Sequence, residues 1–175
     1  MFMLLKDLIE AETKKKPILY VPIGASGTGK STYLRKLRET NPNIVSFSWD
    51  DLRHQWYDKD NCANAFRLST QDKDFEKKAR AEFQRLIDSG VDVYVDNTNL
   101  TMKRRSYYIG QAKARGYRTV GIEMPVDVET IVARQQTRGD KNVKADVVRD
   151  QFAKLERPGP KEFDEVQVSY HNQDK

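Results

Sequence analysis

Residues Gly24-Ala25-Ser26-Gly27-Thr28-Gly29-Lys30-Ser31 fit the spacing G-x-x-x-x-G-K-[ST] at every fixed position. Glycines at this spacing let successive backbone N–H groups turn toward one anion, and a helix that starts at the lysine adds its dipole. A lysine in this place reaches the β- and γ-phosphates of a nucleoside triphosphate, and the Ser31 hydroxyl can ligate Mg²⁺. Context decides whether such a motif has meaning. Here the preceding run, Ile18–Ile23, is apolar and β-branched like a buried strand, and Thr32–Arg38 has helical spacing. The stretch from Gly24 to Thr32 is therefore expected to bind ATP.

Three further sets of residues carry chemistry of the right kind. Asp50 and Arg53 in Ser48-Trp49-Asp50-Asp51-Leu52-Arg53 are three apart, on one face of a short helix. A carboxylate there can accept the proton of an attacking hydroxyl, and the guanidinium can hold an acceptor phosphate. The alternative is that Asp50 only caps its helix. Asp96, at the end of an apolar run and followed by Asn97-Thr98-Asn99, can orient Mg²⁺; an Asx-rich turn is the plainer reading. Arg134 and Arg138, four apart on one expected helix, can close over a triphosphate and stabilise charge that develops in transfer, although surface arginines have the same spacing. His54 and Cys62 lack the further ligands of a zinc site. Trp49, Trp56 and Tyr57 can stack on bases, but core packing suits them better.

These residues need elements to position them. An amphipathic helix is expected over Phe2–Thr13, followed by strand Ile18–Ile23 and a helix to Glu39. Next come strand Ile44–Ser48, a short helix through Trp56, an irregular polar segment Tyr57–Thr70 and a long helix Gln71–Asp88. Strand Val91–Val95 and a basic helix capped by Thr101 lead to strand Arg118–Met124. Helices over Val128–Arg138 and Ala145–Glu156, a strand Phe163–Val168 and a polar tail complete the chain. Strands that alternate with helices imply an α/β fold, a parallel sheet of about five strands flanked by helices on both faces. Ligands in such sheets sit at the carboxyl ends of the strands.

Composition narrows the partners. The 175 residues suit a single domain, 1–175, with an additional helix in 1–14 and a polar tail in 171–175. No apolar run approaches the ~20 residues needed to cross a bilayer, so no membrane partner is expected. A single cysteine, Cys62, suits a reducing cytoplasm. A net charge of +5, with clusters at Lys14–Lys16, Lys77-Lys78 and Lys103–Arg105, favours an anionic partner such as nucleic acid.

Taken together, Ile18–Glu156 resembles the phage-type polynucleotide 5′-hydroxyl kinases, within the wider set of small P-loop kinases. In that family the Asp-Asp-x-Arg element, here Asp50-Asp51-Leu52-Arg53, supplies a general base and an acceptor-phosphate ligand. The resemblance therefore gives those roles to Asp50 and Arg53. The family's Thr-Asn-Leu with paired arginines appears as Thr98-Asn99-Leu100 with Arg104-Arg105, and its lid arginines match Arg134 and Arg138. The chain lacks the Asp-x-Asp that opens the 3′-phosphatase domain of some members, so the kinase is expected to act alone. Val95-Asp96-Asn97-Thr98 follows the wider kinase group more closely than the polynucleotide kinases. The resemblance implies ATP, Mg²⁺ and a 5′-hydroxyl end of DNA or RNA. The alternatives are 5-hydroxymethyluracil within DNA, a nucleoside, nucleotide or other small-molecule acceptor, or a nucleotide-dependent switch with no acceptor.

Overall fold

The computed structural model describes residues 15–139 and 142–170. The helix expected over Phe2–Thr13, Lys14 and the tail 171–175 lie outside the described residues. The elements are β1 (Ile18–Ile23), α1 (Lys30–Thr40), β2 (Val45–Phe47), α2 (Trp49–Trp56), α3 (Cys62–Gln71), α4 (Phe75–Asp88) and β3 (Val93–Val95). They continue with α5 (Met102–Lys113), β4 (Arg118–Glu123), α6 (Val128–Gln135), α7 (Ala145–Ala153) and β5 (Glu165–Val168).

The strands form one parallel sheet in the order β2-β3-β1-β4-β5. Every residue of β1 is buried, as a central strand covered on both faces must be. Alternation divides its side chains between two cores. Leu19, Val21 and Ile23 join Phe47, Val93, Val95, Phe83, Ile87, Tyr108 and Ile109. Ile18 and Tyr20 join Tyr94, Val120, Ile122 and Leu34. A third, smaller cluster of Ala25, Ile131 and Val148 packs α6 and α7 against the loop after β1. The strand order matters for chemistry because β1, β3 and β2 are neighbours. Their exits, Gly24, Asp96 and Ser48-Trp49-Asp50, therefore leave the same edge of the sheet side by side.

The structure corrects several boundaries. Helix α7 ends at Ala153 rather than Glu156, and β5 begins at Glu165 rather than Phe163. Residues 62–70, expected to be irregular, form α3 together with Gln71. Asn61 caps it by accepting from the Asn64 N–H (2.9 Å), and the Asp58 carboxylate receives the Asp60 and Asn61 N–H groups before it. The long helix begins at Phe75 rather than Gln71, because the Asp72 carboxylate takes the Asp74 N–H and turns the chain. Strand β3 begins at Val93. The Asp92 side chain before it is committed to the Ile18 N–H (2.7 Å) and the Asn41 amide (2.6 Å). Helix α6 stops at Gln135, three residues before Arg138.

Candidate active site

The loop after β1 is held open for an anion. Gly27 and Gly29 have φ of 97° and 99°, the left-handed region that an L side chain resists. A Cβ on Gly27 would also lie 2.6 Å from the Gln135 amide nitrogen. Gly29 is the N-cap of α1, and no side chain caps that helix, so its first N–H groups face the loop unclaimed by side chains. Ser31 is exposed in the first turn and Thr32 half-buried, while Thr28 is buried with its hydroxyl on the Ala25 carbonyl (3.0 Å).

Lys30 folds its ammonium back onto the Gly24 and Ala25 carbonyls, at 3.0 and 2.7 Å. Burial pushes its pKa down to about 8, with the Arg138 charge acting in the same direction. The carboxylates of Asp96 and Asp50 oppose this, so both lie within electrostatic reach of the ammonium. The Lys30 carbonyl is itself fixed by the Tyr94 hydroxyl at 2.9 Å.

Ser26 is gripped on both sides. Its N–H donates to Gln151 of α7 (2.9 Å) and its carbonyl accepts from Gln135 of α6 (2.7 Å). The buried Gln135 amide oxygen accepts in turn from Arg138 (3.2 Å) and from the Val143 N–H (3.1 Å). The two arginines expected on one helical face are thus separated. Arg134 remains on α6, while Arg138 sits in the turn beyond it, where the chain reaches Gly139 with φ 57°. Arg138 reaches the loop through Gln135 and through its field at Lys30. No sequence motif marked Gln135, and only its one-residue offset from Arg134 on an apolar helix hinted that it turns inward.

Asp50 is not the cap of α2. Ser48 takes that role, accepting from the Asp51 N–H at 3.2 Å. The Asp50 side chain is 80% exposed and paired with Arg53 at 2.6 Å, whereas the Arg53 side chain is only 17% exposed. Its guanidinium carbon lies 4.9 Å from the Phe66 ring centroid, 5.0 Å from Phe75 and 5.9 Å from Trp49, all inside cation–π range. Its Nε donates to the Ser69 hydroxyl (3.1 Å). Ser69 and Phe66 belong to α3, the helix missed in the sequence. Of the aromatics considered for stacking, Trp49 and Tyr57 pack against the core, and Tyr57 donates to Asp72 (2.6 Å).

The exit of β3 is rigid. Asn97 accepts from the Trp49 N–H (3.1 Å) and so ties the β3 exit to α2. Asn99, buried with φ 50°, donates to the Pro22 and Val95 carbonyls. Arg105 is completely buried. It forms a two-pronged ion pair with Glu162 and donates to the Asn99, Leu100 and Glu156 carbonyls. One member of the basic cluster 103–105 is therefore an internal brace that no nucleic acid can touch. Lys78 of a second cluster is spent on Asp72 (2.8 Å).

This arrangement sets an anion cradle, a buried lysine and an exposed carboxylate–guanidinium pair along one sheet edge. The Ser31 hydroxyl and Asp96 carboxylate are hard oxygen donors next to Lys30, a fit for Mg²⁺. Among the described residues no group of three or more His, Cys, Asp or Glu is assembled for a metal.

Comparison with known proteins finds the same fold elsewhere. The model of a family described as an AAA domain matches residues 19–158. Over 146 residues, 78% of this chain, the sequence is 27% identical to a protein of Autographa californica nuclear polyhedrosis virus named "Putative bifunctional polynucleotide kinase/RNA ligase". The match covers 20% of that relative, so this chain spans about a fifth of its length. A chain of the Pnkp1/Rnl/Hen1 complex superposes with a TM-score of 0.53 at 25% identity, over 70% of this chain and 40% of that one. A gluconokinase from Sinorhizobium meliloti 1021 superposes with a TM-score of 0.59 at 18% identity, over 89% and 83% of the two chains. That last likeness is one of fold alone.

Proposed function

This chain belongs to the AAA-domain family; from that premise we propose that it is an ATP-binding P-loop kinase that phosphorylates a hydroxyl on nucleic acid, best fitted by the 5′-hydroxyl end of a DNA or RNA strand. The observation that carries the reading is the Asp50–Arg53 pair. A protein that only binds and hydrolyses ATP has no use for an exposed carboxylate fastened to a braced guanidinium beside the γ-phosphate position. A kinase whose acceptor carries both a hydroxyl and a neighbouring phosphate uses both groups. The polynucleotide kinase named among the relatives supports the same acceptor class.

The loop N–H groups and Lys30 hold the β- and γ-phosphates. The Asp50 carboxylate takes the proton of the acceptor hydroxyl. The freed oxygen forms a bond to the γ-phosphorus as the bond to the β–γ bridging oxygen breaks, and the electron pair leaves on ADP. Arg53 holds the acceptor's phosphate, and Arg138 approaches the transferring group from the α6 side. Ser31 and Asp96 would hold Mg²⁺, which when bound neutralises phosphate charge.

The test is an acceptor panel with γ-labelled ATP and Mg²⁺: a 5′-hydroxyl oligonucleotide, its 5′-phosphorylated form, and a duplex containing 5-hydroxymethyluracil. Label on the 5′-hydroxyl strand alone is the expected result. Label only on the modified duplex moves the same machinery to base modification, and label on none sets the nucleic-acid reading aside.

A further inference from the structure

Resting on that reading, we propose that Phe66 is a stacking platform for a base of the acceptor strand, the base flanking the phosphate that Arg53 holds. Phe66 projects from α3 and is 54% exposed. Its ring is covered where the Arg53 guanidinium stacks, 4.9 Å from its centroid. The rest of the ring faces solvent.

The placement distinguishes it from an incidental surface apolar group. Arg53 is fastened at once to Asp50 (2.6 Å), to Ser69 (3.1 Å) and against Phe75 of the core. Phe66 and Ser69 are three residues apart on α3, so both sit on the helix face turned toward Arg53. A hydroxyl at Asp50, a phosphate at Arg53 and a flat π-face beside that guanidinium correspond to the three parts of one nucleotide step. Stacking on such a face tolerates any base, because every base has a π-face. A small phosphorylated acceptor without a base gains nothing from it. The platform therefore selects a strand over a small molecule without choosing its sequence.

The experiment compares a single-stranded 5′-hydroxyl oligonucleotide with one whose first two nucleotides are abasic. It reads kcat/KM for transfer and anisotropy-derived Kd across a salt series. The unaltered protein is expected to favour the base-bearing strand by about 5- to 150-fold, the range of one base–aromatic stack. Phe66→Ala is expected to remove most of that preference while leaving the salt slope of Kd unchanged, since the slope counts phosphate contacts. Phe66→Trp is expected to retain the preference, which a merely structural role for the ring would not predict. Phe66→Ala with the preference intact, or an unaltered protein indifferent to the abasic ends, overturns the platform while the kinase reading stands. An unaltered protein that neither binds nor labels any strand overturns both. One that binds strands without labelling them removes the kinase reading alone, and the Kd arm still decides the platform.

Discussion

The phosphate loop and the Arg53 corner meet near Lys30 but are held by opposite means. The loop is shaped by its own backbone, with left-handed glycines and an uncapped helix start, and is steadied from outside by two amides on Ser26. The corner has an ordinary backbone. Its geometry lives in one side chain, the Arg53 guanidinium, fixed among rings and oxygens from three helices. A site made of N–H groups recognises whatever carries phosphate, whereas one made of side chains can be retuned residue by residue. On the proposed function, the donor end is set by backbone and the acceptor end by side chains, which is where a substrate would be chosen.

If the two regions are separable in this way, Asp50→Ala should strike only one of them. Transfer to acceptor should fall by about 10²–10⁴-fold, the usual contribution of a general base, while ATP affinity measured by titration calorimetry changes little. Loss of ATP binding in a folded variant would erase the division. Gln135→Ala probes the other region. It leaves the Ser26 carbonyl and the Arg138 guanidinium without their shared partner, a cost of about 1–3 kcal/mol in unfolding free energy. The KM for ATP should rise while the KM for acceptor stays put. A rise in both would mean that α6 serves the corner as well.

The smallest effect is set by protons. Burial holds the Lys30 pKa down at about 8, against about 10.4 in an unfolded chain. Between those values the unfolded chain holds more protons, so this group's contribution to stability rises with pH across that window and is least favourable below 8. Triphosphate needs the ammonium, so ATP affinity should move the opposite way and fall by about fivefold from pH 8 to 9, steepening toward the tenfold-per-unit limit for one linked proton at higher pH. Calorimetry in buffers of different ionisation enthalpy would register the proton taken up. A pH-independent affinity would place the Lys30 charge outside the donor site.

The loop, its strand and its helix were legible because they are contiguous and their chemistry is backbone chemistry. Asp50 and Arg53 were legible as a pair one helical turn apart, but the bracing of Arg53 was not. Phe66, Ser69 and Phe75 lie 13, 16 and 22 residues away, and Cys62–Gln71 mixes Asn, Ser and Thr with few strongly apolar residues, so its periodicity is faint. Arg105 looked like surface charge because a buried arginine is identified only by distant partners such as Glu162. Arg138 falls on α6 only if that helix continues past Gln135, whereas local bonds such as Arg138 N–H to the Gln135 carbonyl (3.1 Å) end it in a tighter turn.

The bond from the Ser26 N–H to Gln151 spans 125 residues. On a ribosome that adds residues one at a time, the glycine-rich loop emerges early with its whole motif in place. Its clamp on Ser26 is still missing. Until α7 has been made and has docked, nothing fixes that N–H. The nascent chain should therefore carry the motif through the next 125 residues of synthesis without a finished nucleotide site, and become competent to bind only once α7 has emerged.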